Sequence, residues 1–265
     1  MRTAVLFGMA PSRFGTSADV ASDPEKYLNI GRGTQAAPAS PMVKWFNTNY
    51  HVVQPEIEQD PQLQHSCRKP RVAARQKLAL IGPATLLKFA INNTHFTQDE
   101  LFTHLAGEYA KLINAYSSDT VIQLEEPAFV TDGMPEGYAA FINQLKTQIH
   151  LHVYFGSVNA CADQLFKLKV AAIGLDFIDG PENLELLAQF PGDKTLIAGV
   201  ISGRNVWPAN SRNQALLAKI SAQIADDKLY ISPSCSLMHL PVTPASDEDG
   251  DFVFAQEKST ELTQI

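Results

Sequence analysis

The chain is poor in cysteine and lacks any paired arrangement of it. Its three cysteines, Cys67, Cys161 and Cys235, are widely spaced with no Cys-x-x-Cys. That argues against a disulfide framework and a thiolate zinc knuckle, and it fits a reduced, cytoplasmic setting. Basic charge is also scarce: 21 Lys and Arg stand against 28 Asp and Glu, for a formal net charge of -7. Phosphate binding needs clustered Lys and Arg, so neither nucleic acid nor an anionic membrane is expected as the main partner. A local basic pocket for a small anion stays open. No apolar run approaches the roughly 20 residues that span a bilayer. Ala4-Val5-Leu6-Phe7 is too short for a signal peptide core, and Pro11 and Arg13 follow at once. No Gly-x-Gly-x-x-Gly follows a candidate strand and no Gly-Lys-Ser/Thr loop occurs, which disfavours a dinucleotide fold and a phosphate loop.

What remains is an ordinary globular composition, 45% hydrophobic and 18% charged over 265 residues, enough for one large α/β domain or two small ones. Short apolar runs at 78–81, 121–124, 151–155, 173–178, 196–201 and 229–231 read as strands. Helical spacing lies between them at 99–116, 137–147, 161–168, 181–190 and 213–225. Strands separated in this way form βαβ units and a parallel sheet. Polar or special residues follow each strand, among them Glu125-Glu126-Pro127, Asp176 and Ser202-Gly203-Arg204-Asn205. A (β/α)8 TIM-type barrel places its chemistry there, whereas an open sheet gathers it at one switch point. Residues 34–41 read as a linker, 245–251 as an acidic solvated loop, and 252–262 as a final helix.

The run Lys44-Trp45-Phe46-Asn47-Thr48-Asn49-Tyr50-His51 joins a cation, three aromatics, two amides, a hydroxyl and an imidazole. Such a run suits either a ligand-contacting wall or a strand edge with half-buried aromatics. Six further motifs follow in order: Ile81-Gly82-Pro83-Ala84-Thr85, Gln123-Leu124-Glu125-Glu126-Pro127-Ala128, Tyr154-Phe155, Gly174-Leu175-Asp176, Ala198-Gly199 through Gly203-Arg204-Asn205-Val206-Trp207, and Ser234-Cys235-Ser236-Leu237-Met238-His239. Phe254-Ala255-Gln256-Glu257-Lys258 closes the series. Together they resemble the amino-terminal half of cobalamin-independent methionine synthase, a methyltransferase of methionine (amino-acid) biosynthesis. That enzyme moves a methyl group from 5-methyltetrahydropteroylpolyglutamate to homocysteine.

The resemblance implies a single domain over 1–265, built as a (β/α)8 barrel that is incomplete at its amino-terminal strands. Six strands would stand against the family's eight. Either 2–9 forms a replacement strand or a partner covers the open edge. The resemblance makes Lys44 a binding residue for the folate polyglutamate tail, a role suited to a flexible ammonium. It places Asn47, Tyr50 and His51 beside the folate, although plain edge packing is also open to them. Glu126 would face the site or pair with Arg204. Arg204 itself would hold a carboxylate or lock neighbouring loops. The family's zinc, which deprotonates homocysteine, belongs to the carboxy-terminal barrel. The resemblance therefore implies no catalytic residue and no cofactor in this chain, with a separate zinc-bearing barrel subunit as partner for catalysis. His152, Asp176 and Cys235 sit at strand ends corresponding to the zinc-bearing ones, and are either a residual metal site or packing and capping residues. A stand-alone folate- or anion-binding barrel protein, or a gene fragment, are the other readings of the whole chain.

Overall fold

Each of the six apolar runs forms a strand that pairs in parallel with a neighbour. In the computed structural model, which describes residues 2–65, 67, 70–73, 76–243 and 252–265, the chain divides into two compact units. One comprises Met1–Ala128 and Met134–Ile149, the other Phe129–Gly133 and His150–Ile265.

The first unit begins with three helices, α1 (Arg2–Leu6), α2 (Ser17–Ser22) and α3 (Pro24–Arg32). The 2–9 segment is therefore not a replacement strand where it begins. The amides of Phe7 and Met9 both donate to the Ala4 carbonyl and that of Gly8 to Val5, which closes helical turns rather than a strand ladder, and Ala4 and Val5 are buried. After α1 the chain turns at Phe7 and Gly8. The carbonyls of Leu6, Phe7 and Met9 accept from the amides of Gln64, Gln62 and Glu56. Helix α2 starts on a reciprocal capping box between Thr16 and Asp19. Helix α3 starts on Asp23 with Pro24 in its first turn, and stops at Gly33, φ 73°.

Strands β1 (Met42–Lys44) and β2 (His51–Val53) form an antiparallel hairpin in which Lys44 lies opposite His51. β3 (Glu56–Ile57) pairs in parallel with β5 (Ile91–Asn92), and between them come β4 (Lys77–Ile81) and α4 (Pro83–Phe89). Helix α5 (Gln98–Ile113) opens on a Thr97–Glu100 capping box and buries Leu101, Leu105, Tyr109 and Leu112 along one face. β6 (Val121–Glu125) pairs in parallel with β4. Helices α6 (Ala128–Asp132) and α7 (Tyr138–Asn143) follow.

The second unit carries β7 (Gln148–Val153), β8 (Ala172–Asp176), β9 (Thr195–Ile201) and β10 (Leu229–Pro233), joined in that order by parallel ladders. The division between the units falls within β7. β8 is buried at every residue and β9 at all but its first, as expected for parallel strands covered on both faces. The connections are α8 (Ala162–Leu165), a 3-10 helix at Pro181–Gln189, and α9 (Ser211–Ser221). The final helix α10 is Ala255–Glu261, shorter than 252–262. The acidic stretch 245–251 lies outside the described residues. Among the described residues the fold is thus α/β with a six-stranded parallel sheet, two strands short of a full (β/α)8 count.

Candidate functional site

The hairpin separates its aromatic and polar residues. The chain reverses on Trp45, whose carbonyl accepts the Thr48 amide at 3.1 Å and hydroxyl at 2.7 Å. Phe46 turns with φ 48°, a left-handed conformation that an L residue adopts at a cost. Trp45 and Phe46 pack on Phe89 of α4 with ring centroids 4.6 and 5.1 Å apart. The Lys88 ammonium sits 5.9 Å above the Phe46 ring. The aromatics therefore anchor the turn, while Lys44, Asn47, Tyr50 and His51 are exposed around it. Tyr50 keeps 43% of its surface accessible. Lys44 and His51, directly opposite across the hairpin, present two nitrogen groups to solvent at one edge. This arrangement can hold an anion. It contains no nucleophile with an adjacent base.

At Glu56, three residues after β2, lies an ion pair that the sequence did not single out. The Arg13 guanidinium holds Glu56 with both arms, at 2.7 and 2.6 Å, and reaches Ser40 Oγ at 3.1 Å. The Ser40 hydroxyl donates to the same carboxylate at 2.7 Å. Glu56 is 6% exposed, and hydrogen bonding to Arg13 holds its carboxyl below the usual range against the opposing effect of burial. The pair ties the segment after α1 to the strand that follows the hairpin. Glu56 stood in the sequence beside Pro55, but nothing local connected it to a residue 43 positions away.

Glu126 is fully buried in the first unit. Its carboxylate accepts the Thr85 hydroxyl at 2.6 Å, the Thr85 amide at 2.7 Å and the Ala84 amide at 3.0 Å. The Tyr138 hydroxyl also favours the charged carboxylate. Gly82 leaves the room this needs, since a side chain there would overlap the carboxylate. Burial pushes Glu126 up to about 7, against these three hydrogen bonds and the Tyr138 hydroxyl. Glu125, its neighbour, is half-buried and accepts from Gln123. The two carboxylates do not share a proton site.

In the second unit Asp176 is fully buried, and its oxygens accept the amides of Phe155, Ile178 and Asp179 at 3.0, 2.8 and 2.9 Å. It caps two loops. Burial raises it to about 6, with the Asp179 charge adding to the rise. Arg204 directs two nitrogens at Asp179, each at 3.0 Å, and its guanidinium lies 5.6 Å from the Phe155 ring centroid. His152 lies on β7 with its ring against Gly174. Cys235 is buried, and its thiol is pushed up to about 12, by burial first and then by Asp176. A zinc ion does not fit these residues as they stand: the Asp176 oxygens are engaged by the backbone N–H groups of Phe155, Ile178 and Asp179. One His-x-Cys spacing does occur, His65-Ser66-Cys67. The Cys67 thiol is buried 3.6 Å from the Ser17 carbonyl. Among the described residues no three His, Cys, Asp or Glu side chains form a group that could hold a metal ion.

A family model described as "Cobalamin-independent synthase, N-terminal domain" matches residues 1–225. The chain belongs to this family. The 5-methyltetrahydropteroyltriglutamate–homocysteine methyltransferase of Streptococcus suis is 35% identical over 291 aligned positions, covering 99% of this chain and 38% of its own length. The enzyme of the same name from Thermodesulfovibrio yellowstonii is 34% identical, covering 98% and 38%. This chain thus spans little more than a third of the relatives it matches. Among solved structures, a B12-independent methionine synthase from a Shewanella species aligns with TM-score 0.58 at 19% identity, over 76% of this chain and 68% of its own. A Listeria monocytogenes structure described as a B12-independent methionine synthase aligns with TM-score 0.52, over 78% and 70%. At such identities these two speak for the fold alone. Among the described residues no helix is long and apolar enough to cross a membrane.

Proposed function

We propose that this chain is the folate-tail-binding part of a cytoplasmic methyltransferase that makes methionine from homocysteine and 5-methyltetrahydropteroylpolyglutamate. On this reading it acts as one domain over 1–265. It holds the methyl donor, and a separate zinc-bearing barrel activates the acceptor thiol. The observation that carries the reading is the exposed Lys44, set opposite His51 on a hairpin anchored by Trp45, Phe46 and Phe89, in a chain of this family. An ammonium on a flexible stem suits a tail of successive carboxylates. Asn47 and Tyr50, exposed on the same turn, contact the donor on this reading. Glu126 and Arg204 take supporting roles in this reading, as each is already engaged by its own neighbours.

Calorimetric titration with folyltriglutamate tests the proposal. Lys44→Ala is expected to weaken binding by about tenfold, the loss of one charge-assisted contact. Equal affinity for the two proteins removes Lys44 from the site. A wild-type chain that binds no folate at all removes the whole reading and leaves a barrel protein of another role.

A further inference from the structure

Away from the hairpin, the first unit contains a cavity of about 520 Å³ lined by residues of α1, α2 and α3 together with Cys67 and Arg71. Val5, Leu6 and Val20 supply apolar walls. Two guanidinium side chains, Arg2 and Arg71, line the same space. None of the described lining residues is Asp or Glu, in a chain whose net charge is -7. The Arg2 charge acts on the Tyr27 hydroxyl, and burial raises the Tyr27 phenol, so it stays neutral. Cys67, 4% exposed, closes the inner side.

The volume lies within the ordinary range for a small-molecule site. Apolar walls favour an aliphatic or aryl body, since burying it removes apolar surface from water. A guanidinium matches the two oxygens of a carboxylate, and two of them can share one head group. A polyanion fits poorly, because its further charges would be stripped of water against apolar walls. We propose that this cavity binds an amphipathic monocarboxylate, its head on Arg2 and Arg71 and its apolar tail against Val5, Leu6 and Val20.

Octanoate and octanol are the probes, titrated calorimetrically into the full chain. Octanoate is expected to bind saturably at one site, with octanol at least about tenfold weaker, because octanol lacks the charge-assisted pair. Arg71→Gln and Arg2→Gln should each weaken octanoate by a comparable factor. Ala21→Trp, at an exposed position on the cavity wall, should abolish binding. Absence of saturable octanoate binding, octanol binding as tightly as octanoate, or unchanged octanoate affinity in Ala21→Trp overturns the proposal. Should a variant lose its cooperative melt, the comparison of octanoate with octanol on the wild-type chain decides alone.

Discussion

Glu126 has the plainest consequence among single residues. Its folded pKa of about 7 lies above the ordinary 4.5, so the folded chain holds this proton more tightly than the unfolded chain does. The stability this contributes is complete below about pH 4.5, declines as pH rises toward 7, and is absent above that. The difference of about 2.5 units corresponds to about 3 kcal/mol. Asp176, raised to about 6, acts in the same direction over the lower part of this window. Urea midpoints at pH 5 and pH 8 should therefore fall for the wild type and fall less for Glu126→Gln. Equal slopes in the two proteins would show that Glu126 is ionised throughout. Arg13→Ala should cost about 2 kcal/mol in the same unfolding experiment at pH 7, because it leaves the buried Glu56 carboxylate without its two-armed partner. A loss under 0.5 kcal/mol, the ordinary range for a surface change, would mean that water replaces the guanidinium freely.

Among elements, α5 shows how local chemistry and packing agree. Its capping box satisfies amides that the first turn leaves open, and Leu101, Leu105, Tyr109 and Leu112 bury the opposite end of the pattern. Thr97→Ala should lower stability by about 1 kcal/mol, read as a drop in melting temperature with cooperativity kept. No measurable change would mean that tertiary packing alone sets where the helix begins. The hairpin illustrates the opposite case. β1 and β2 are three residues each, too short to persist by pairing alone. Their turn is held from outside, by Phe89 beneath Trp45 and Phe46. Lys44 is therefore positioned by a helix that begins 39 residues later in the chain, at Pro83.

For the whole molecule, the testable matter is whether a part of the enzyme suffices. The chain covers 38% of the Streptococcus suis relative. On the proposed reading, purified chain alone should give no methyl transfer from 5-methyltetrahydropteroyltriglutamate to homocysteine. Adding a zinc-bearing barrel from a relative should restore it together with a 1:1 complex. Turnover by the chain alone would overturn that division of labour.

The six parallel strands were legible in the sequence because each is a short apolar run whose residues are buried for the same reason they are apolar. The family was legible too, since its motifs occur in order and the match over 1–225 spans all but those at 234–239 and 254–258. The first residues were not: an apolar run of four or five residues fits strand or helix equally, and the local hydrogen bonds to the Ala4 and Val5 carbonyls decide for the helix. Nor was the state of Glu126, whose charge depends on Thr85, 41 residues earlier, on the room left by Gly82, and on the Tyr138 hydroxyl. Composition and pattern determine which segments must be buried, because burial of apolar surface is roughly additive and depends little on direction. Hydrogen bonds and ion pairs are directional and act over a few ångströms. Which polar groups meet, and with what charge, is decided only when the chain has folded.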